Sequence, residues 1–454
     1  MVGNILQWVK ANLLIVISVA LMLILLPTGW FFSNKWNASI QEKATEAYNS
    51  EKRKLTSASK VEYSLPAVLD GEEGLSDNRA PNTLVTNFYK EQMLQRKEQV
   101  AEVVDRGENF NRKGHTVPVS DLLPTPADAS KLRQQGFKLG QLVAGTNESP
   151  SIYSKLLRSL NAGDAPDPEA LKSSLDQFKK QQEDEFAATS SDGRVSDEQK
   201  EVLAKSLVKR RLDEYASRAE SIAFYCPLSA IQTESQEAGF SHIPSTVPGY
   251  DSISEQAVFT WVWDYWVVSD VLKAVTKANT DSSGVVLSVP DAPVKHVEQI
   301  RVGEFSVQSS EFNEDDFDSR GGRGGRGGRG SSSDDPSGTP QFKSYTNRNA
   351  NIPGALYDTR LVHMSAIVSS EDLPVFFDAL GKTNYMTVVD VDIEQVNVWD
   401  KLNEGYFYGS DHVVRANLVI ETVWLRSWTK DLMPKSIRTS LGIVTDEDLM
   451  EDDG

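Results

Sequence analysis

Residues 13–32, LLIVISVALMLILLPTGWFF, carry no charged side chain in a chain that is otherwise polar and acidic. Twenty helical residues rise about 30 Å, the thickness of a bilayer's hydrocarbon core. The run predicts one transmembrane helix, from Leu13 through Leu26 to Trp30 and Phe32, behind a short head of residues 1–12. Trp30, Phe31, Phe32 and Trp36 fit an aromatic belt at one interface. No triplet of the A-x-A kind follows closely, so an uncleaved anchor fits better than a signal peptide. Lys10 precedes the run, and Lys35 and Lys43 follow it among glutamates, which leaves the orientation open.

Beyond the anchor, residues 33–107 read as juxtamembrane helices with a weak coiled-coil signal. A first helix covers residues 33–60, with Trp36, Ile40 and Ala44 on one face. A second covers residues 82–106, carries Leu84, Val85, Phe88, Val100, Val103 and Val104, and stops at Gly107. Residues 108–195 hold scattered Pro, Gly and Ser and read as an irregular helical insertion, with short helical pieces at 127–142 and 152–160.

From residue 196 the periodicity sharpens. Ser196 with Gln199 predicts a capping box, and Val208, Leu212, Tyr215 and Ala219 continue that helix. A strand is expected at 220–226. The strongest helix is expected at 254–279, where Val258, Trp261, Tyr265, Val268, Leu272 and Val275 make one continuous stripe. Such a stripe is more often core than ligand site. Trp261, Tyr265 and the adjoining Trp266 are still the helix residues singled out as a candidate interface. Strands are expected at 284–289 and 294–302, closing a first α/β domain over 196–305.

A low-complexity linker, 306–353, then carries the acidic run EFNEDDFD and four arginines in an Arg-Gly-Gly repeat. It offers too little apolar surface to offset ordering entropy. A second domain, 354–440, has a strand at 361–368 and a helix opened by Ser369 and Asp372, with Leu373, Phe376, Phe377 and Leu380 on one side. Its strand at 388–396 alternates Val389, Val391 and Ile393 against Asp390, Asp392 and Glu394. Its strand at 413–425 alternates Val414, Ala416, Leu418, Ile420 and Trp424 against Arg415, Asn417 and Glu421. One-sided strands of this kind pack a helix on one face and leave the other wet or partnered. The polar residues Asp390, Asp392, Glu394, Arg415 and Glu421 are therefore candidate interface positions. An acidic tail, 441–454, ends the chain. The fold class is α+β. A weak repeat joins its two halves: a helix ending Lys277-Ala278-Asn279 precedes Val297-Glu298-Gln299-Ile300, and a helix ending Lys382-Thr383-Asn384 precedes Ile393-Glu394-Gln395-Val396.

Chemistry changes this picture little. The chain has 454 residues and a formal charge of −18, which disfavours polyanionic partners such as nucleic acid. Its one cysteine, Cys226, forms no internal disulfide and reads as a small buried hydrophobe. The five histidines, His115, His242, His296, His363 and His412, fall in no metal-ligand spacing. No P-loop, G-x-S-x-G or H-E-x-x-H is present. Asp390 and Asp392 share a strand face, and a solvated sheet face is the better reading than a cation site. No cofactor or metal is implied. The Arg-Gly-Gly repeat has an RNA-binding reading, against which stand its acidic flanks and the absence of a folded RNA-binding motif.

The order of anchor, juxtamembrane helix and α/β halves, with segments 254–302 and 357–425, resembles the PilO/GspM class. These are bitopic inner-membrane proteins of type IV pilus and type II secretion machines. The resemblance implies two ferredoxin-like half-domains, a cytoplasmic N-terminus and a periplasmic body. It also implies self-association, a PilN-like partner and a scaffolding role without catalysis. The chain departs from that class in its length, in residues 108–195 and in the Arg-Gly-Gly linker. Competing readings are a membrane-tethered enzyme with a pocket near His363 or Asp390, and an RNA-associated membrane protein.

Overall fold

A computed structural model describes residues 8–67, 73–80, 82–126, 128–189, 196–305 and 350–443. The Arg-Gly-Gly repeat, the acidic run and most of the tail lie outside these. The chain divides into two compact units, 1–106 and 107–454.

The first unit begins with α1, Leu13–Ala58, one unbroken helix of 46 residues. Its apolar first half continues directly into the charged second half, and none of its residues is buried. Pro27 lies inside it and supplies no N–H to the preceding turn. The Thr28 hydroxyl donates to the Ile24 carbonyl at 2.7 Å beside that gap. The chain then makes a hairpin that the sequence pattern did not suggest, β1 (Val61–Leu65) with β2 (Leu75–Arg79), paired antiparallel. Tyr63 from β1 stacks on Tyr89 at 5.0 Å, on the next helix, α2 (Thr83–Arg112). Gly107 does not end α2 as expected. It sits inside the helix, where a Cβ would lie 3.2 Å from the Tyr385 hydroxyl, so a close approach rather than a stop explains the glycine.

In the second unit, α3 (Ala129–Ala144) and α4 (Ile152–Ser159) lead to β3 (Ala162–Gly163). Helices α5 (Pro168–Thr189) and α6 (Asp197–Glu220) follow, and the expected capping box of Ser196 and Gln199 is present. The strand expected at 220–226 shrinks to β4 (Phe224–Tyr225). Helix α7 (Glu255–Ala278) is capped by Ser254. Residues 284–289 form no strand: the Leu287 N–H turns back to the Asn279 carbonyl instead. Then come β5 (Val294–Val302), β6 (Tyr357–Ser369), α8 (Leu373–Thr383), β7 (Met386–Gln395), α9 (Val398–Glu404) and β8 (Val413–Leu425). Short helices α10 (Arg426–Thr429) and α11 (Lys435–Ser440) end the described chain. The N-cap of α8 is Asp372, with no side-chain cap bond, rather than Ser369.

The strands expected in two separate halves lie in one six-stranded sheet, ordered β3-β4-β5-β6-β8-β7. The β3, β4 and β5 strands run parallel, with α7 as the crossover between β4 and β5, and the rest are antiparallel. The two strands flanking residues 306–349, β5 and β6, are direct neighbours. The architecture is thus a mixed helix-and-sheet fold with one large core cluster and a smaller one on the other face of the sheet.

The larger core explains residues 119–160. Helix α7 buries sixteen of its twenty-four residues, so a single apolar stripe understates it. A helix buried nearly all round needs cover beyond the sheet. Leu122, Leu139, Val143, Tyr153, Leu156 and Leu157 join α7 and the sheet in the same cluster. Residues 119–160 of the segment expected to be an insertion are a wall of the core, and α5 after them buries none of its described residues. Gly136 of α3 is the contact point: a Cβ there would meet Ile253 at 2.5 Å and Val258 at 2.9 Å.

Candidate interaction surface

One face of the sheet is apolar and helix-covered. Val294, Val297 and Ile300 of β5, Met364 and Ala366 of β6, and Ala416, Leu418, Ile420 and Trp424 of β8 supply it. The cross-strand register places the other residues of each strand opposite. Ser365 lies across from Asn417, which lies across from Asp392, and Arg415 lies across from Glu394. This second face is polar in its middle. At one end a smaller apolar cluster covers it, with Ala219, Ile222, Tyr225, Ile367, Tyr408 and Val413.

Glu298 organises the polar part. Its carboxylate accepts from Arg415 Nε at 2.6 Å and Nη2 at 3.2 Å, and Lys401 of α9 stands 3.1 Å away. Burial works to raise its pKa, but the bonds from Arg415 and Lys401 outweigh burial and hold it down at about 2. Arg415 also reaches Glu394 at 3.4 Å. The two glutamates of the weak sequence repeat therefore converge on one guanidinium. The repeat's two asparagines also match, each following a helix: Asn279 ties α7 to β5, and Asn384 ties α8 to Asp270. Beside Glu298, His296 is buried, accepts or donates at Nδ1 with the Tyr408 hydroxyl at 2.9 Å, and stacks on Tyr406 at 4.3 Å. Burial lowers its pKa to about 3.

The expected interface residues separate into three groups. Asp390, Asp392 and Glu394 are exposed on β7. Arg415 is half-buried and already engaged. Glu421 is fully buried, which corrects its reading as a surface residue: it sits on an interior strand between Leu361 and Thr387. Trp261 and Trp266 are likewise core rather than surface, and Tyr265 is half-buried against Tyr153. Trp266 donates from Nε1 to the Thr116 carbonyl, and its ring packs with Trp424 and Trp428. The aromatic stripe is consumed by the wall that the sequence reading had set aside as an insertion.

The β7 pattern also shifts by one residue. A bulge between Val388 and Asp390 drops Val389 out of register, so Val388, Val391 and Ile393 share the apolar face. That face is poorly covered at β7, where Ile393 is 52% exposed. Leu13, Leu26, Trp30 and Phe32 of α1 are all exposed, and α1 is long and apolar enough to cross a membrane. The cleft of about 460 Å³ around Phe240, His242 and Trp261 does not include His363 or Asp390. His363 packs its ring edge-on against Phe240. Among the described residues no group of three or more His, Cys, Asp or Glu is placed to hold a metal ion.

No family model, curated protein or solved structure matches the chain.

Proposed function

We propose that the protein is a membrane-anchored, non-enzymatic scaffold that holds partner subunits through its α/β body. The observation that carries this reading is α1: a helix with no buried residue whose apolar half continues without a break into a charged half. In lipid, exposed Leu, Ile and Val at that density are at home, and in water they are costly. The body's sheet adds a surface suited to pairing, since β7 leaves charged and apolar side chains exposed together. In this reading the N-terminus is cytoplasmic, the body is periplasmic, and the assembly is the inner-membrane platform of a type IV pilus or type II secretion machine. The PilO/GspM resemblance supplies that assignment, including the two ferredoxin-like halves and a PilN-like partner. The observed strand order supports the α/β character of the halves but joins them in one sheet. Photo-crosslinking in intact membranes from positions 391 and 393, followed by identification of the captured chains, tests the proposal. Recovery of platform subunits supports it. Recovery of none, with the protein monomeric in the membrane, overturns it.

A further inference from the structure

Strand β7 is the long free edge of the sheet. The other edge, β3, is two residues long and gives little to pair with. Among the described residues β7 pairs with β8 alone, so the backbone groups on its other side point outward, save the Val391 N–H, which donates to the Asp390 carboxylate at 2.9 Å. Edges left this way are usually blunted by a bulge, by charge or by cover. The bulge at Val388/Asp390 protects only the first half of β7. From Val391 to Gln395 the register with β8 is unbroken and every residue is exposed. Val391 and Ile393 lie on one face of this stretch, 38% and 52% exposed, with Asp392 and Glu394 on the other. Just past the strand's end, Trp399 is 75% exposed.

Charge decides what can pair there. If β7 paired antiparallel with β7 of a second copy, every register that sets Val391 or Ile393 against Val391 or Ile393 would place two or more of Asp390, Asp392 and Glu394 opposite one another. Like charges directly opposite are destabilising, and a one-residue slip would mix the faces. Arg415 offsets only Glu394, at 3.4 Å. We infer that β7 is a docking edge for a strand from a different protein, in which Lys or Arg alternates with Val, Ile or Leu. The added strand would set its cations against Asp390, Asp392 and Glu394 and its apolar side chains beside Val391 and Ile393. Main-chain hydrogen bonds supply attraction, and the alternation supplies selectivity. This inference rests on the scaffold reading and names the chemistry of one partner contact.

The test uses the full chain in nonionic detergent and three eight-residue peptides. One alternates Lys and Val, one alternates Glu and Val, and one carries four Lys followed by four Val. Binding is read by fluorescence anisotropy, and the site by amide hydrogen exchange over residues 386–395. The alternating Lys/Val peptide is expected to bind and to slow exchange at 390–395, and the other two are not. The triple variant D390K/D392K/E394K is expected to reverse the preference toward the Glu/Val peptide by about tenfold or more. Ile393→Lys, on an exposed apolar position, weakens the Lys/Val peptide without unfolding the sheet. Equal binding of the block peptide, unchanged exchange at 390–395, or dimerisation of the protein through β7 overturns the inference. The two proposals fail separately. Absent crosslinks with peptide binding intact remove the scaffold and leave the edge, and captured subunits with no peptide selectivity do the reverse.

Discussion

Gly136 shows how far one position controls the fold. The Ile253 and Val258 methyls occupy the space a side chain would need, at 2.5 and 2.9 Å from an added Cβ. Both neighbours are β-branched and buried, so neither can swing aside. Gly136→Ala is therefore expected to destabilise by about 1–3 kcal/mol through overpacking, in spite of alanine's better helix propensity. A lowered urea midpoint with unchanged slope would show it. At the same scale, His296 and Glu298 set the response to acid. His296 falls from 6.5 to about 3 in the fold, so its contribution is complete above pH 6.5 and is lost as pH falls toward 3. Glu298 falls from 4.5 to about 2, so its contribution is complete above pH 4.5 and is lost between 4.5 and 2. Stability is expected to decline first through the histidine and then through the carboxylate. His296→Gln, which does not titrate, should flatten the decline between pH 6.5 and 4.5 by about 1–2 kcal/mol in a series of thermal melts. The repeat marked Glu298 and the histidine count marked His296, but neither showed their ion pairs and hydrogen bond, because the partners Arg415, Lys401 and Tyr408 lie more than a hundred residues away.

Among the elements, α7 is the one whose existence was plainest and whose environment was most misread. Its apolar residues and the Ser254 cap were enough to place it within a residue at each end. Strands β5 and β8 match their expected bounds, while β6 begins four residues before the expected 361. What periodicity does not convey is how many sides a helix buries. Trp263, Val262 and Val267 lie off the expected stripe and are buried too, Trp263 against Phe305, Trp424 and the Arg360 guanidinium, while the stripe residues Val258, Trp261 and Tyr265 lie beside Gly136, Gly140 and Tyr153 of α3 and α4. The hairpin β1–β2 escaped because only VEYSL alternates apolar and polar residues, while its partner LSDNR has a single apolar residue. Inside α7 sits Asp264, fully buried and 2.7 Å from Arg360 of β6. Arg360 also donates to the Gly303 carbonyl and the Ser241 hydroxyl, and its guanidinium lies over the Trp263 ring. Burial raises the Asp264 pKa to about 6, with Arg360 pulling against it. Arg360→Met strands that carboxylate and is expected to cost about 3–5 kcal/mol. Adding Asp264→Leu should recover most of the loss, since a buried pair often does little better than its apolar replacement. A double-mutant cycle by chemical denaturation measures both steps, and equal damage from the single and double variants would show that the pair itself holds α7 to the sheet.

For the whole molecule, the sequence separated anchor from body more cleanly than it separated the body's parts. A run of twenty uncharged residues is a signal that tertiary contacts do not alter, because in a helix with no buried residue there are none to alter it. The division into two halves failed for the opposite reason. The low-complexity stretch between β5 and β6 marked a boundary in composition, yet backbone pairing joins the strands on either side of it. Chain continuity and sheet continuity are independent, and only the first is written locally. The anchor can then be examined without disturbing the body. Val19 and Leu23 lie in the middle of the apolar half of α1 and are 52% and 69% exposed. A lysine near a membrane helix's centre costs about 2.5–3.5 kcal/mol on insertion scales. Val19→Lys with Leu23→Lys therefore opposes insertion by about 5–7 kcal/mol if the two costs add. The double variant is expected to leave the membrane pellet on alkaline carbonate extraction, with the wild-type chain retained. Ile40→Lys, in the charged half of the same helix and 65% exposed, is the control that should stay with the membrane. Release of the wild-type chain by carbonate would mean that α1 meets a protein surface instead of lipid, and would take the scaffold's anchor with it.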